Sequence, residues 1–280
     1  MPLRLEKTAN AGLTEKHAPH RGLLDLAHAR QNFSLRRYHP SGQLATFVEH
    51  YWIIHWDLRG KPGYTSEVLP HPSVNLTYTR ERGWITGVAT GKYTYTIEDD
   101  GFVLGIRFRP GAFRPFLGRA VSTITDRTLP AGDVFSGGGD DFRITLASRS
   151  TDEQVLADAE AMLGSALPAP DPNIELINEI VTLVEADRGM ASVAGIAKRF
   201  GLAERTLQHL FSTYVGVGLK WIIRRYRLME AAELAEADTV QNWTEIAHRL
   251  GYADQAHFTN DFTKIIGRPP TDYARHVARA

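Results

Sequence analysis

The 280-residue chain contains no cysteine. That excludes a disulfide framework, a thiolate zinc site, a thiol redox switch and a cysteine nucleophile, and with the last any transfer of alkyl groups onto a protein thiol. Long hydrophobic runs are missing as well. No apolar stretch approaches the roughly 18–20 residues that span a bilayer. The first segment, with Lys7, Glu15 and Lys16, lacks the apolar core of a signal peptide. These absences predict a cytoplasmic protein with no membrane partner. An excess of either charge is also absent, since 32 Lys+Arg balance 32 Asp+Glu. Residues 173–280 alone hold 13 basic and 13 acidic side chains. A nucleic-acid-binding domain usually carries a basic excess. Any DNA affinity here must therefore come from a local basic face and from base readout rather than from bulk attraction. The hydrophobic fraction of 43% and charged fraction of 23% are those of a globular protein, and the length suits one large domain or two ordinary ones.

What the chain does contain is a repeat. Ile196-Ala197-Lys198-Arg199-Phe200-Gly201 returns as Ile246-Ala247-His248-Arg249-Leu250-Gly251, an offset of 50 residues, and later landmarks (Phe211 and Phe262, Gly216 and Gly267) are offset by 51. Each copy reads as two short helices joined by a glycine-containing turn, the plan of a DNA-binding helix-turn-helix. In the first copy Val193, Ile196, Ala197 and Phe200 form one apolar stripe at i, i+3, i+4, i+7, and Leu207, Leu210, Phe211 and Tyr214 form the next. The opposite face of that second helix carries Arg205, Gln208 and His209. Arginine can fork onto guanine and glutamine onto adenine in the major groove. In the second copy Ile246, Ala247 and Leu250 make the stripe and Phe258 and Phe262 anchor the following helix. Gln255, Ala256, His257, Thr259 and Asn260 lie at its exposed start and face. Glutamine and asparagine suit adenine, and threonine suits base edges or phosphate. A continuous helix over 219–237 would be about 28 Å long at ~1.5 Å per residue, close to the ~34 Å of one DNA turn. Such a connector can set two recognition helices into successive major grooves. Packed helical hairpins without DNA function are commoner in general, but they do not call for a repeated turn with two polar outer faces.

The stretch from Gly251-Tyr252-Ala253-Asp254-Gln255-Ala256-His257-Phe258 to Gly267-Arg268-Pro269-Pro270 closely resembles the signature of the AraC/XylS family of bacterial transcription regulators, and the likeness extends over 173–278. The resemblance implies that Arg205, Gln208 and His209 face DNA from the first unit and Gln255, Ala256, His257, Thr259 and Asn260 from the second. Ala256 departs from a polar choice, leaving a methyl that can meet thymine rather than a hydrogen bond. The family plan also implies an amino-terminal sensing or dimerising domain of cupin-like β-barrel form.

The amino-terminal half is consistent with that plan. Strands are expected at 47–57, 64–69, 73–79, 84–89, 92–97 and 102–108, a spacing that suggests a small barrel or sandwich. Short helices are expected at 23–30, 111–117 and 140–146, and a longer one at 152–163. That last helix could pair with its twin in a homodimer or pack on its own barrel. The alternating prolines Pro168, Pro170 and Pro172 read as a stiff linker. The expected layout is α+β: a β-rich sensor with a helical tail over 1–167, a linker over 168–172, and an all-α domain over 173–280 with two helix-turn-helix units joined by a long helix. Trp52, Trp56, Tyr78, Trp84, Tyr93 and Tyr95 are candidates to line an aromatic pocket, with barrel core as the blander reading of each. Alternation along Ile106-Arg107-Phe108-Arg109 sets the arginines on one face. They point either to an anionic ligand or to salt bridges with Asp99 and Asp100. The narrowed candidate ligand set is Trp52, Tyr78, Trp84 and Arg107. His50, His55 and His71 lack the spacing of a cupin metal site, so no metal and no cofactor is expected.

Catalytic arrangements are lacking: no Ser/His/Asp order, no phosphate loop, no paired carboxylates at useful spacing. The sequence therefore predicts a non-enzymatic, sequence-specific regulator. Its partners would be double-stranded DNA, RNA polymerase, a small-molecule effector and a second copy of the chain. A regulator governed by protein contacts alone and an enzyme built on the barrel are the competing readings.

Overall fold

The computed structural model describes residues 29, 31–186, 192–236 and 242–277. The helix expected at 23–30 lies outside the described residues but for Ala29. Eight strands come first: β1 (Ser34–Tyr38), β2 (Val48–Asp57), β3 (Tyr64–Val68), β4 (Asn75–Tyr78), β5 (Gly83–Thr86), β6 (Tyr93–Ile97), β7 (Asp100–Phe108) and β8 (Thr128–Pro130). Six form one antiparallel sheet in the order β1-β2-β7-β4-β5-β8, while β3 and β6 pair separately. β1 and β8 were not expected from sequence. Both are edge strands, β1 carrying adjacent arginines and β8 only three residues long and ending in proline. Charges, brevity and proline are how edges avoid further pairing, and they erase the usual strand signal.

Period-two alternation divides the larger sheet cleanly. Tyr51 and Ile53, Leu76 and Tyr78, Ile85, and Leu104, Ile106 and Phe108 point to one face and form the core. Across that core lies a helix, α3 (Asp152–Ser165), which follows α1 (Arg114–Leu117) and α2 (Asp140–Ala147). Its Thr151 cap accepts a hydrogen bond from the Gln154 amide. Val155, Leu156, Ala159, Met162 and Leu163 of α3 are all spent against the sheet, so of the two roles open to this helix the structure shows packing on its own domain. Asp152 fastens it there, accepting from the Tyr38 hydroxyl at 2.7 Å and bonding His55 Nε2 at 2.8 Å.

The helical half opens at Pro172, whose missing N–H costs nothing in a first turn, with α4 (Pro172–Ala186). Then come α5 (Val193–Phe200), α6 (Glu204–Tyr214), α7 (Leu219–Glu236), α8 (Trp243–Arg249), α9 (Gln255–Ile266) and α10 (Pro270–Val277). Helix α7 belongs to two cores at once. Ile222, Ile223 and Tyr226 pack with α4, α5 and α6, whereas Leu228, Met229, Ala232 and Ala235 pack with α8, α9 and α10.

The sheets dock on both helical cores. Val88 is buried among the first group and Leu69 among the second. Asn178 of α4 donates to the Pro110 carbonyl at 3.1 Å, and Thr125 donates to the Gly216 carbonyl at 2.7 Å. Arg225 of α7, itself buried, donates through Nε to the Pro70 carbonyl, and Arg268 pairs with Glu67 of β3 at 2.8 Å.

Candidate DNA interface and the cavity between the sheets

The two helical units have the same construction. Ser192 caps α5 by accepting from the Gly195 amide at 3.0 Å, and Asn242 caps α8 by accepting from the Thr244 amide at 2.9 Å. Helix α5 ends on Gly201 at φ +65°, and α8 is followed by Gly251 at φ +78°, a left-handed conformation that costs other residues about 1–2 kcal/mol. The turn is then closed identically, by Leu202 N–H to the Ala197 carbonyl and Tyr252 N–H to the Ala247 carbonyl, both at 2.9 Å. Asp254 supplies a cap at the start of α9, its carboxylate accepting from the His257 amide at 2.7 Å. The sequence repeat is thus a repeat of hydrogen bonds.

With Leu207, Leu210 and Phe211 of α6 buried, Arg205, Gln208 and His209 are exposed on the other side. With Phe258, Phe262 and Ile265 of α9 buried, Gln255, Ala256, His257 and Asn260 are exposed and Thr259 is half-buried. The Thr244 hydroxyl donates to Oε1 of the Gln255 side chain at 2.5 Å, which orients that side chain across the turn. The His257 ring stands 3.6 Å from Asp261, which also pairs with Arg224 of α7 at 3.0 Å. Lys198 and Arg199 end α5, and His248 and Arg249 end α8, all exposed. Lys198 and Arg199 set positive charge at the surface beside the first turn, while Arg249 lies 3.9 Å from Glu230. The contacts from the amino-terminal half fall just beyond the carboxyl ends of α6 and α9, at Gly216 and Arg268, and leave Arg205, Gln208, His209, Gln255, Ala256, His257 and Asn260 exposed.

The second face of the larger sheet borders a partly open cavity of about 190 Å³ with β3 and β6. Neighbouring strands furnish its walls in rows. Trp52, Thr77 and Trp84 share one row, and Gly105 on β7 makes space within it, since a Cβ there would fall 1.8 Å from the Trp52 indole. Arg107, Asn75 and Thr86 share the next. Ser66, Tyr93, Tyr95 and His71 line the opposite side. Of the sequence candidates, Trp52, Trp84, Tyr93, Tyr95 and Arg107 border the cavity. Tyr78 and Trp56 do not: Tyr78 lies in the core on the other face with its hydroxyl on the Gly138 carbonyl at 3.0 Å, and the Trp56 indole N–H donates to the Glu98 carbonyl. Position parity held the signal, since Trp52 and Ile54 alternate with Tyr51 and Ile53, but it does not say which face is hollow. Asp99 and Asp100 do not meet Arg107 or Arg109. Asp100 pairs with Arg80 at 3.0 Å, and Arg109 donates to the Ala45 carbonyl at 2.7 Å.

A bulge between Val48 and His50 sets both Glu49 and His50 opposite Arg107. Burial pulls the His50 imidazole down to about 4; Glu49 opposes this and Arg107 adds to it. His71 is held well below its usual range by burial first, then by Arg107 and Arg225. Burial raises the Glu49 carboxyl, but the hydrogen bond with His50 and the charge of Arg107 outweigh it and hold the group low. Near neutral pH both imidazoles are uncharged, and the positive charge at the polar end of the cavity is that of Arg107.

Residues 36–130, spanning nearly all of β1 to β8, match a family model described as a domain of unknown function (DUF6597). Residues 196–276, from α5 to α10, match one described as a helix-turn-helix domain. The transcriptional activator RhaS of Pectobacterium atrosepticum is 34% identical over 85 residues, 30% of this chain and 29% of that protein. A Streptomyces lividans protein described as an AraC-like transcription regulator is 30% identical over 86 residues, 30% of this chain and 28% of that protein. The matched segments span about a third of the length of such relatives, 28–35% for these and similar proteins. ToxT of Vibrio cholerae O395 aligns over 89% of this chain and all of its own at 13% identity, with a TM-score of 0.37 that transfers nothing. Over its repeated helix-turn-helix domain the chain is thus similar to AraC-type transcription regulators.

Proposed function

We propose that the protein is a sequence-specific, non-enzymatic transcription regulator that reads double-stranded DNA with α6 and α9 and is controlled through the cavity between its sheets. The observation that carries the reading is the doubled unit: two identically closed turns, each followed by a helix whose apolar side is buried and whose outer side presents Arg205, Gln208 and His209 or Gln255, Ala256, His257, Thr259 and Asn260. Helix α7, about 27 Å long over 18 residues at ~1.5 Å each, spaces them. Control passes through the segment Leu69-Pro70-His71. It borders the cavity, buries Leu69 beside α7 to α10, and holds Arg225. A cytoplasmic setting and contact with RNA polymerase follow from the same role. A homodimer would have to use a surface other than the apolar stripe of α3, which its own sheet consumes.

Selection from random duplex DNA tests the reading. The expected product is a site with two recognised elements about one helical turn apart. Arg205→Ala and Gln255→Ala should each lower specific affinity by about 1–3 kcal/mol and relax one base position in their own half of the site. Uniform weakening on every sequence would make them phosphate contacts instead, and failure to enrich any sequence would overturn the reading.

A further inference from the structure

We infer that the cavity binds a small organic monocarboxylate, its apolar body about the size of one ring between Trp52, Trp84 and Tyr95 and its carboxylate on Arg107. This rests on the reading of the cavity as a control site and names the chemistry of what enters it.

Size comes first. The cavity's volume of about 190 Å³ modestly exceeds the ~150 Å³ of an apolar protein cavity that takes benzene. The walls come next. Indole and phenol rings with Ile54, Val68, Ile97 and Val103 supply most of the surface, which disfavours a polyol needing paired donors and acceptors on every side. No aspartate or glutamate lines it among the described residues, so no acidic side chain on its wall favours a cationic ligand. The polar end decides the class. Arg107 Nε is buried with no hydrogen-bond partner, and so is the Ser66 hydroxyl, which faces the same space from β3. Asn75 and Thr86 stand beside Arg107 in its cross-strand row and can donate to the same group. A guanidinium fork with hydroxyl and amide donors around it matches a group that only accepts and carries charge, which is a carboxylate. Charge number points to a monoanion. Arg107 is the one arginine that borders the cavity among the described residues, while Arg225 is turned to the Pro70 carbonyl and Glu49 offsets part of the remaining charge.

The test uses the full-length protein and two matched pairs, benzoate with benzamide and hexanoate with hexanol, titrated by calorimetry and by indole fluorescence. The expected result is that each acid binds at least tenfold more tightly than its neutral partner. Arg107→Gln should erase that preference while leaving neutral binding intact, and Arg107→Lys should restore part of it. Should Arg107→Gln fail to fold, the acid-to-neutral ratio in the unaltered protein decides alone. Equal binding of acids and neutral partners, or acid binding indifferent to Arg107, overturns the carboxylate and leaves the cavity as an uncharged ligand's site. No binding by any of the four overturns both.

Discussion

At the scale of single residues, the two turn glycines show how backbone and side chain divide the work. A Cβ on Gly251 would sit 3.4 Å from the Arg227 guanidinium, an ordinary contact, so space is not what demands glycine there. The demand is φ +78°. Gly251→Val should therefore destabilise the second unit by about 1–2 kcal/mol or more, since a β-branched residue tolerates the left-handed region worst. Gly251→Asn should recover much of the loss, because asparagine enters that region readily. Thermal unfolding and affinity for the selected DNA site measure both, and a valine variant indistinguishable from the parent in each would contradict the argument. The residue scale is also where sequence reading reached furthest. Glycine followed by Leu202 or Tyr252 in matching positions announces a helix-ending turn without any tertiary information.

At the scale of elements, β3 is the strand to watch. Its alternating side chains face two ways: Ser66 and Val68 into the cavity, Glu67 outward to Lys92 at 2.5 Å and Arg268 at 2.8 Å. Arg268 lies two residues past the end of α9, so this three-charge cluster ties a wall of the cavity to the end of that helix. All three side chains are about three-quarters buried, which screens them less than a surface pair. Glu67→Ala should cost about 1 kcal/mol and raise amide exchange around residues 262–270 more than elsewhere. Exchange that rises evenly or not at all would show that the cluster does not anchor that end of the helix. Sequence reading could not find this cluster. Glu67 and Arg268 are some two hundred residues apart, and each reads as an ordinary solvated charge until the fold joins them.

At the scale of the whole molecule, the buried charges around the cavity set a dependence on pH. Folding depresses His50 to about 4 and lowers His71, in both cases through burial first. As pH falls through the ordinary histidine range near 6.5, the unfolded chain takes up protons that the folded chain refuses. The stability present above that range is therefore lost towards pH 4, at up to about 1.4 kcal/mol per pH unit for each histidine. Asp152 adds a later loss: burial raises its carboxyl, but His55, Tyr38 and Arg36 outweigh that and hold it low, so its contribution disappears only at more acidic pH. Urea unfolding between pH 7.5 and 4.5 should show the slope, and His50→Gln with His71→Gln should flatten its upper part. A flat profile above pH 5 in the unaltered protein would count against the buried neutral pair.

The helical half was legible in the sequence. Helical stripes, caps, turn glycines and polar outer faces are local, periodic features, and each is complete within some twenty residues of chain. Most of the strands, and which residues share a sheet face, were legible too, because side-chain alternation has a fixed period. The rest depends on contacts between distant segments. Edge strands β1 and β8 carry no local signal. Whether the face bearing Trp52 or the face bearing Tyr78 is hollow depends on which one α3 covers, and α3 is a hundred residues away from Trp52. Arg107 meets its cavity neighbours Asn75 and Thr86 only because strands far apart in sequence pair side by side. Periodicity settles how one segment presents itself to its neighbours, whereas cavities and interdomain ties arise where distant segments meet.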